Sequence, residues 1–236
     1  MFSVSHLHGF NVSAGGGAAK TVAIFATASR HYNALTEEGS VSTITFPASI
    51  ISGDLIVLQD SAAGSSAPSV TPSGFTQIGT SLTFSNTNSY RSNLWYKIAT
   101  GTESGSLTVM AGVFDTTSTW SEMAVFRGSG VITGVSVNSS AQQGTSSTPT
   151  TQTVTSGSGL VPLIVLGGYG DLIDVPPNGV VNTRGMSPSK DAEISAHASQ
   201  YLAYKIYNSS QANVDVSMND EGNMNMLRSC YLQLTI

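Results

Sequence analysis

The feature that most limits what this chain can fold into is repetition: its second half restates its first. Leu55-Ile56-Val57-Leu58 returns as Leu163-Ile164-Val165-Leu166, and Leu94-Trp95-Tyr96-Lys97-Ile98 returns as Leu202-Ala203-Tyr204-Lys205-Ile206, both 108 residues later. Leu58 and Lys97 are 39 residues apart, as are Leu166 and Lys205. Ala124 and Leu232 each lie 27 residues beyond their lysine, which predicts a closing strand in the same register. Leu107–Val109 finds its counterpart in Val214–Val216, and the turn Pro72-Ser73-Gly74-Phe75 in Pro177-Asn178-Gly179-Val180, with a small offset. A constant offset over three landmarks means two copies of one supersecondary plan. Residues 1–20, ending in Ala14-Gly15-Gly16-Gly17, are read as an arm, 21–133 as the first half and 134–236 as the second, free to form one body with the first.

Each copy reads as strands. Thr21–Thr27, Ser42–Phe46, Phe75–Ile78, Leu94–Ala99, Leu107–Met110 and Met123–Phe126 are short and rich in β-branched and aromatic residues. Turn clusters such as Gly64-Ser65-Ser66, Asn86-Thr87-Asn88 and Gly101–Gly105 separate them, the pattern of a sandwich or barrel. Leu55–Leu58 is a continuous apolar run after Gly53-Asp54, which predicts a strand buried on both faces. Alternation on a strand points Trp95 and Lys97 one way and Leu94, Tyr96 and Ile98 the other. Lys97 and Lys205 recur at equivalent places, as guards against edge mispairing would. Only Arg30–Glu38 reads as a short helix. Val135–Thr155 is polar, with Gly144 and Pro149, and part of it stands where the copy of Ser42–Phe46 is due. The expected fold class is all-β: an antiparallel β-sandwich, jelly-roll-like, built from two similar halves behind an extended N-terminal arm.

Composition narrows the function classes. Hydrophobic residues are 40% of the chain, enough for a real core, but charged residues are only 10%, against roughly 25% in an average globular protein. Polarity comes from Ser, Thr, Asn and Gln, as on extracellular and virion β-proteins. With nine Lys+Arg and a net charge of −5, no basic stripe exists for nucleic acid or an anionic membrane. The longest apolar run, Leu160–Leu166, contains Pro162 and is too short to span a bilayer, and the first residues carry no export signal. A soluble protein is therefore expected. The lone Cys230 forms neither an internal disulfide nor a zinc site and is expected as a buried thiol.

Candidate chemistry is sparse. His6 and His8 share a face if extended, but two ligands are too few for a metal. His31 and His197 have no local partners. Asp171, Asp174, Asp215, Asp220 and Glu221 are the acidic groupings from which a glycosidase pair would be drawn, and they read better as turn residues. Asn219-Asp220-Glu221-Gly222-Asn223 is oxygen-rich but lacks the spacing of a calcium loop. No nucleophile elbow, phosphate loop or dinucleotide fingerprint occurs. Trp95 is expected in the core, with a sugar-stacking platform as its alternative. Met218, Met224 and Met226 are candidate interface anchors. No catalytic, cofactor-binding or metal residues are expected.

Read together, Gly53–Leu58 (GDLIVL), Pro72–Gly79 (PSGFTQIG), Leu94–Val109 (LWYKIATGTESGSLTV) and Met123–Gly128 (MAVFRG) resemble a module of tailed-phage and prophage virion proteins. The resemblance covers about residues 40–128, and a degraded copy extends it to 236. Phe75 stands where the module usually has Trp, and the second copy has Ala203 for Trp and lacks the closing Arg-Gly. The resemblance brings no catalytic residues. It implies a virion structural protein, a capsid decoration (cement) protein first and a tail-fibre or host-receptor (glycan-binding) adhesin as the alternative. The implied partners are the major capsid protein or tail proteins and further copies of the chain, a homotrimer among the options, with a surface glycan in the adhesin case. The implied location is the particle surface, after assembly in the host cytoplasm.

Overall fold

A computed structural model describes residues 19–33, 41–63, 71–85, 89–111, 118–143, 150–171, 182–183, 198–207, 209–216 and 224–236. Every regular element among them is a strand. The first half contributes β1 (Val22–Asn33), β2 (Val41–Thr45), β3 (Leu55–Ala63), β4 (Thr76–Gln77), β5 (Leu82–Ser85), β6 (Ser89–Ile98), β7 (Ser106–Ala111) and β8 (Ser118–Gly128). The second contributes β9 (Gly134–Gln143), β10 (Thr150–Val154), β11 (Leu160–Asp171), β12 (Asn182–Thr183), β13 (Ala198–Ile206), β14 (Gln211–Val216) and β15 (Met224–Thr235).

The repeat survives as topology. The large sheet of the first half runs β1-β8-β3-β6-β4, with β5 also on β6, and that of the second runs β9-β15-β11-β13-β12. Each half adds a two-stranded sheet, β2-β7 and β10-β14. All ladders are antiparallel. The first half thus has the 1-8-3-6 and 2-7 pairings of a jelly roll; β4 and β5 join the large sheet instead of extending the small one. The two large sheets face each other, with β3 over β13 and β6 over β11, the pair of contacts a two-fold relation generates.

This layering explains the unbroken apolar runs. Leu55 and Val57 point into the core between the halves, whereas Ile56 and Leu58 point into a second core under β2 and β7. A strand covered on both faces needs apolar residues at every position. The central core takes Leu55, Val57, Leu94, Ala124 and Phe126 from the first half and Leu163, Val165, Leu202, Cys230 and Leu232 from the second. Burying each large aliphatic or aromatic side chain contributes about 1.5–3 kcal/mol before entropy is counted.

Two expectations are corrected, and a third is extended. Leu55 pairs Ile98 and Leu163 pairs Ile206, in keeping with the offset of 108. Val57, however, pairs Ala124 while Val165 pairs Cys230, so the closing strand is matched two residues earlier than Leu232. Loop length after β13 changes the residue count without moving the ladder, because burial of one face fixes register. Arg30–Asn33 is not helical: it completes β1 against Ser118–Ser121, and residues 34–38 lie outside the described residues. The polar join contains two strands, β10 as the counterpart of β2 and β9 as the counterpart of β1. The turn Pro177–Val180 and residues 1–18 lie outside the described residues.

Candidate functional site

Gly53, Asp54 and Arg127 clamp one end of the first half. Gly53 has φ +86°, and a Cβ there would strike Val131, so this turn requires glycine. It delivers Asp54, 1% exposed, to Arg127: Nε donates to Oδ1 at 2.8 Å and Nη2 to Oδ2 at 2.7 Å. Arg127 also donates to the Ser49 carbonyl and lies 3.6 Å over the Phe25 ring, while the Ile51 N–H caps Asp54 Oδ2. A bidentate fork of this kind is the strong form of ion pair. In the second half the residues one step before Leu163–Leu232 are Pro162 and Gln233, so neither charge of this pair is present there. Arg127→Ala leaves Asp54 buried beside one N–H. It should lower stability by about 2 kcal/mol, less than a fully buried pair because Arg127 is partly exposed. Urea unfolding at neutral pH measures this.

Further along the same strands the core turns polar. Gln59, Asp60 and Ser61 follow Leu58 on β3; Ser92 and Asn93 precede Leu94 on β6; Thr119, Ser121 and Glu122 precede Met123 on β8, all buried. Asp60, flanked by Asn93 and Ser121 in the ladders, accepts from Trp95 Nε1 and from Asn93 Nδ2 at 3.0 Å. Asn93 Oδ1 accepts from Gln77 Nε2 at 3.2 Å, which donates also to Ser81 and so links the buried carboxyl to the surface. Burial pushes the Asp60 carboxyl up to about 7, although the bonds from Asn93 and Trp95 and the charge of Arg91 pull it down. Asp60 is a proton-holding group near neutrality, fixed on rigid strands.

On the opposite face the halves are matched by difference. Gln59 and Gly167 occupy equivalent positions, and a Cβ on Gly167 would come within 3.0 Å of Gln59 Oε1. The glycine makes room for its own counterpart. Glu122 pairs Gln59 as Arg228 pairs Gly167, so the same place in the two halves carries opposite charges. Arg228 is 4% exposed and donates to the Thr80 carbonyl across the seam. Burial lowers its basicity, and it raises the adjacent Cys230 thiol to about 12, which keeps that thiol protonated and unreactive.

Most sequence candidates do not converge. His6, His8, His197, Asp174, Asp220, Glu221, Asn219–Asn223 and Met218 lie outside the described residues. His31 is placed on β1 opposite Trp120, and Met224 and Met226 on β15. Asp171 and Asp215 belong to β11 and β14 rather than to turns. Among the described residues no three His, Cys, Asp or Glu gather as metal ligands, and no helix is long and apolar enough to cross a membrane. Trp95 is 3% exposed and hydrogen-bonded to Asp60, which excludes the stacking platform. Lys97 does not guard an open strand: β6 is paired to β3 at Lys97 and to β4 at the preceding Trp95 and Tyr96, and its ammonium meets Glu103 at 2.8 Å, while Lys205 lies over the Tyr207 ring at 5.0 Å. Cys230 is a free, buried thiol.

Asp60, Glu122 and Arg228 escaped sequence reading. Their signal was the abrupt change from apolar to polar inside a strand-length segment. Compared with protein-family models and with curated proteins, the chain matches none.

Proposed function

We propose that the chain is a structural protein of a tailed-phage particle, a capsid decoration (cement) protein that works by protein–protein contact with the major capsid protein or a tail protein. Its function is then to present rigid surfaces, with no turnover of a substrate. The observation that supports this most is where the residues that carry the resemblance act. Gly53, Asp54 and Arg127 tie the turn before β3 to the end of β8 and the connection after it, Trp95 anchors Asp60, and the apolar runs fill two cores. The pattern shared with the virion module is a specification for a stiff body, which is what a decoration protein needs. The low charge of the chain, 10%, favours hydrogen-bonded packing against other subunits over electrostatic capture of a polyanion. Ile51 and Val131, 51% and 58% exposed beside Gly53, offer apolar anchors at one end of the body. The adhesin alternative has lost its stacking candidate with the burial of Trp95.

The test is particle biochemistry. Particles purified from a lysogen encoding the chain are expected to contain it at a stoichiometry comparable with the capsid subunit. Particles made without it are expected to lose heat resistance, and added protein to restore it. Absence from purified particles contradicts the proposal; location at the tail tip with binding to host glycan supports the adhesin instead.

A further inference from the structure

Gln59 and Gly167 hold equivalent places in the two halves, and they touch each other. A Cβ on Gly167 would come within 3.0 Å of Gln59 Oε1 and 3.1 Å of its Cδ. A residue that meets its own equivalent lies at the axis of a two-fold relation. The contacts of β3 with β13 and of β6 with β11 obey the same relation. Two identical modules paired about this axis would bring Gln59 against Gln59. The glutamine is held where it is: it is 1% exposed, and its Nε2 donates to Ser92 Oγ at 3.4 Å, to which Ser61 Oγ donates at 2.9 Å. Where one added Cβ already crowds its amide, a second glutamine side chain overlaps it.

A second contact, away from the axis, reads charge. Arg228 of β15 crosses the seam and donates to the Thr80 carbonyl. Gly79 gives it passage: its φ is +68°, and a Cβ there would overlap the guanidinium. The first half carries Glu122 at the place of Arg228, since Gln59 pairs Glu122 as Gly167 pairs Arg228. A first half standing where the second stands would therefore turn a carboxylate towards the Thr80 carbonyl. That sets an acceptor against an acceptor, at a place where Arg228 is 4% exposed and water offers little relief.

We infer that the seam is a selective interface: the inner face of the first half accepts a second half and rejects another first half, through Gln59 at the axis and the Gly79–Thr80 turn beside it. Attraction comes from the apolar core, which two like halves would also supply. Discrimination comes from the glutamine and the arginine, each of which fits one partner and penalises the other. The chain thus closes on itself, and its seam is not a face through which copies join like to like. This stands apart from any role in a particle.

Full-length variants that give the second half the residues of the first test this, with urea unfolding followed by circular dichroism. Gly167→Gln is expected to raise the unfolding constant by about tenfold to a hundredfold. Gln59→Gly in that background moves the glutamine across the axis. The double variant is expected to lose less than the two single changes together, by about tenfold or more. At position 228 the sign of the charge is the test. Arg228→Met keeps the bulk and is expected to stay within about tenfold of the native chain, whereas Arg228→Glu is expected to cost about a hundredfold more than Arg228→Met. Failure of Arg228→Glu to fold where Arg228→Met folds agrees with the inference. Losses at 59 and 167 that simply add overturn it. An Arg228→Glu protein as stable as the Arg228→Met protein overturns it equally.

Discussion

Raising the pH from about 4 to 8 should weaken the native protein by up to about 4 kcal/mol through Asp60 alone, and Asp60→Asn should remove that loss. Burial drives the carboxyl from 3.8 to about 7, against the pull of Asn93, Trp95 and Arg91. The folded protein therefore keeps a proton that the unfolded chain releases across that interval. Because the unfolded state binds fewer protons there, stability falls as pH rises. The contribution is complete below the unfolded value and gone above the folded one. Glu103 acts in the opposite sense. Burial would raise it, but Lys97 and the N–H groups of Thr100 and Gly101 hold it down at about 2. Its stabilisation is present above its ordinary value of 4.5 and fades as pH falls towards 2, and solvent screening at this partly exposed turn keeps it small. Stability should accordingly peak near pH 4–5. Urea midpoints at pH 4.5, 6 and 8 check this: a flat native profile, or a slope that persists in the Asp60→Asn protein, contradicts the assignment.

The second large effect is expected at the seam between the halves. Phe126 is fully buried and meets the Tyr204 ring edge-to-face at 5.1 Å. Phe126→Ala should cost about 3–5 kcal/mol, the range for truncating a core aromatic whose site cannot collapse. The loss should be felt by both halves, because Leu55 and Val57 on one side and Leu163, Val165 and Leu232 on the other share that core. Both tryptophans, Trp95 and Trp120, lie in the first half, so their fluorescence follows that half alone. Amide exchange in β11 and β13 follows the second. The two probes should shift by the same free energy; a change confined to fluorescence would mean that the halves do not depend on one another.

The strands legible in the sequence were those whose side chains face one core or two. Leu55–Leu58 and Leu163–Leu166 announced themselves by unbroken hydrophobicity, and the β3–β6 register followed from a spacing that loops had not altered. The closing strand was misplaced by two because distance along the chain counts loop residues, whereas the ladder responds to which face is buried. Aligning Met123-Ala124-Val125-Phe126 with Ser229-Cys230-Tyr231-Leu232 recovers it. β9 was missed because an edge strand open to water has no need of an apolar pattern.

The polar interior was the least legible part. Gln59-Asp60-Ser61 after an apolar run reads as the chain leaving the core. What keeps these residues inside is hydrogen bonding to Ser92, Asn93 and Trp95, more than thirty positions away. Likewise, Asp54 and Arg127 are separated by 73 residues, and only the fold shows that Gly53-Asp54 and Arg127-Gly128 are two ends of one clamp. Polar burial is decided by partners, and partners across a sheet are not written locally.

At the centre of this account stands one claim: two copies of a jelly-roll plan are fused through a shared apolar seam into a single cooperative body. Scanning calorimetry of the full chain measures it most directly. The account predicts one transition whose calorimetric and van 't Hoff enthalpies agree. Two resolved transitions, each with the enthalpy of half the chain, would contradict it.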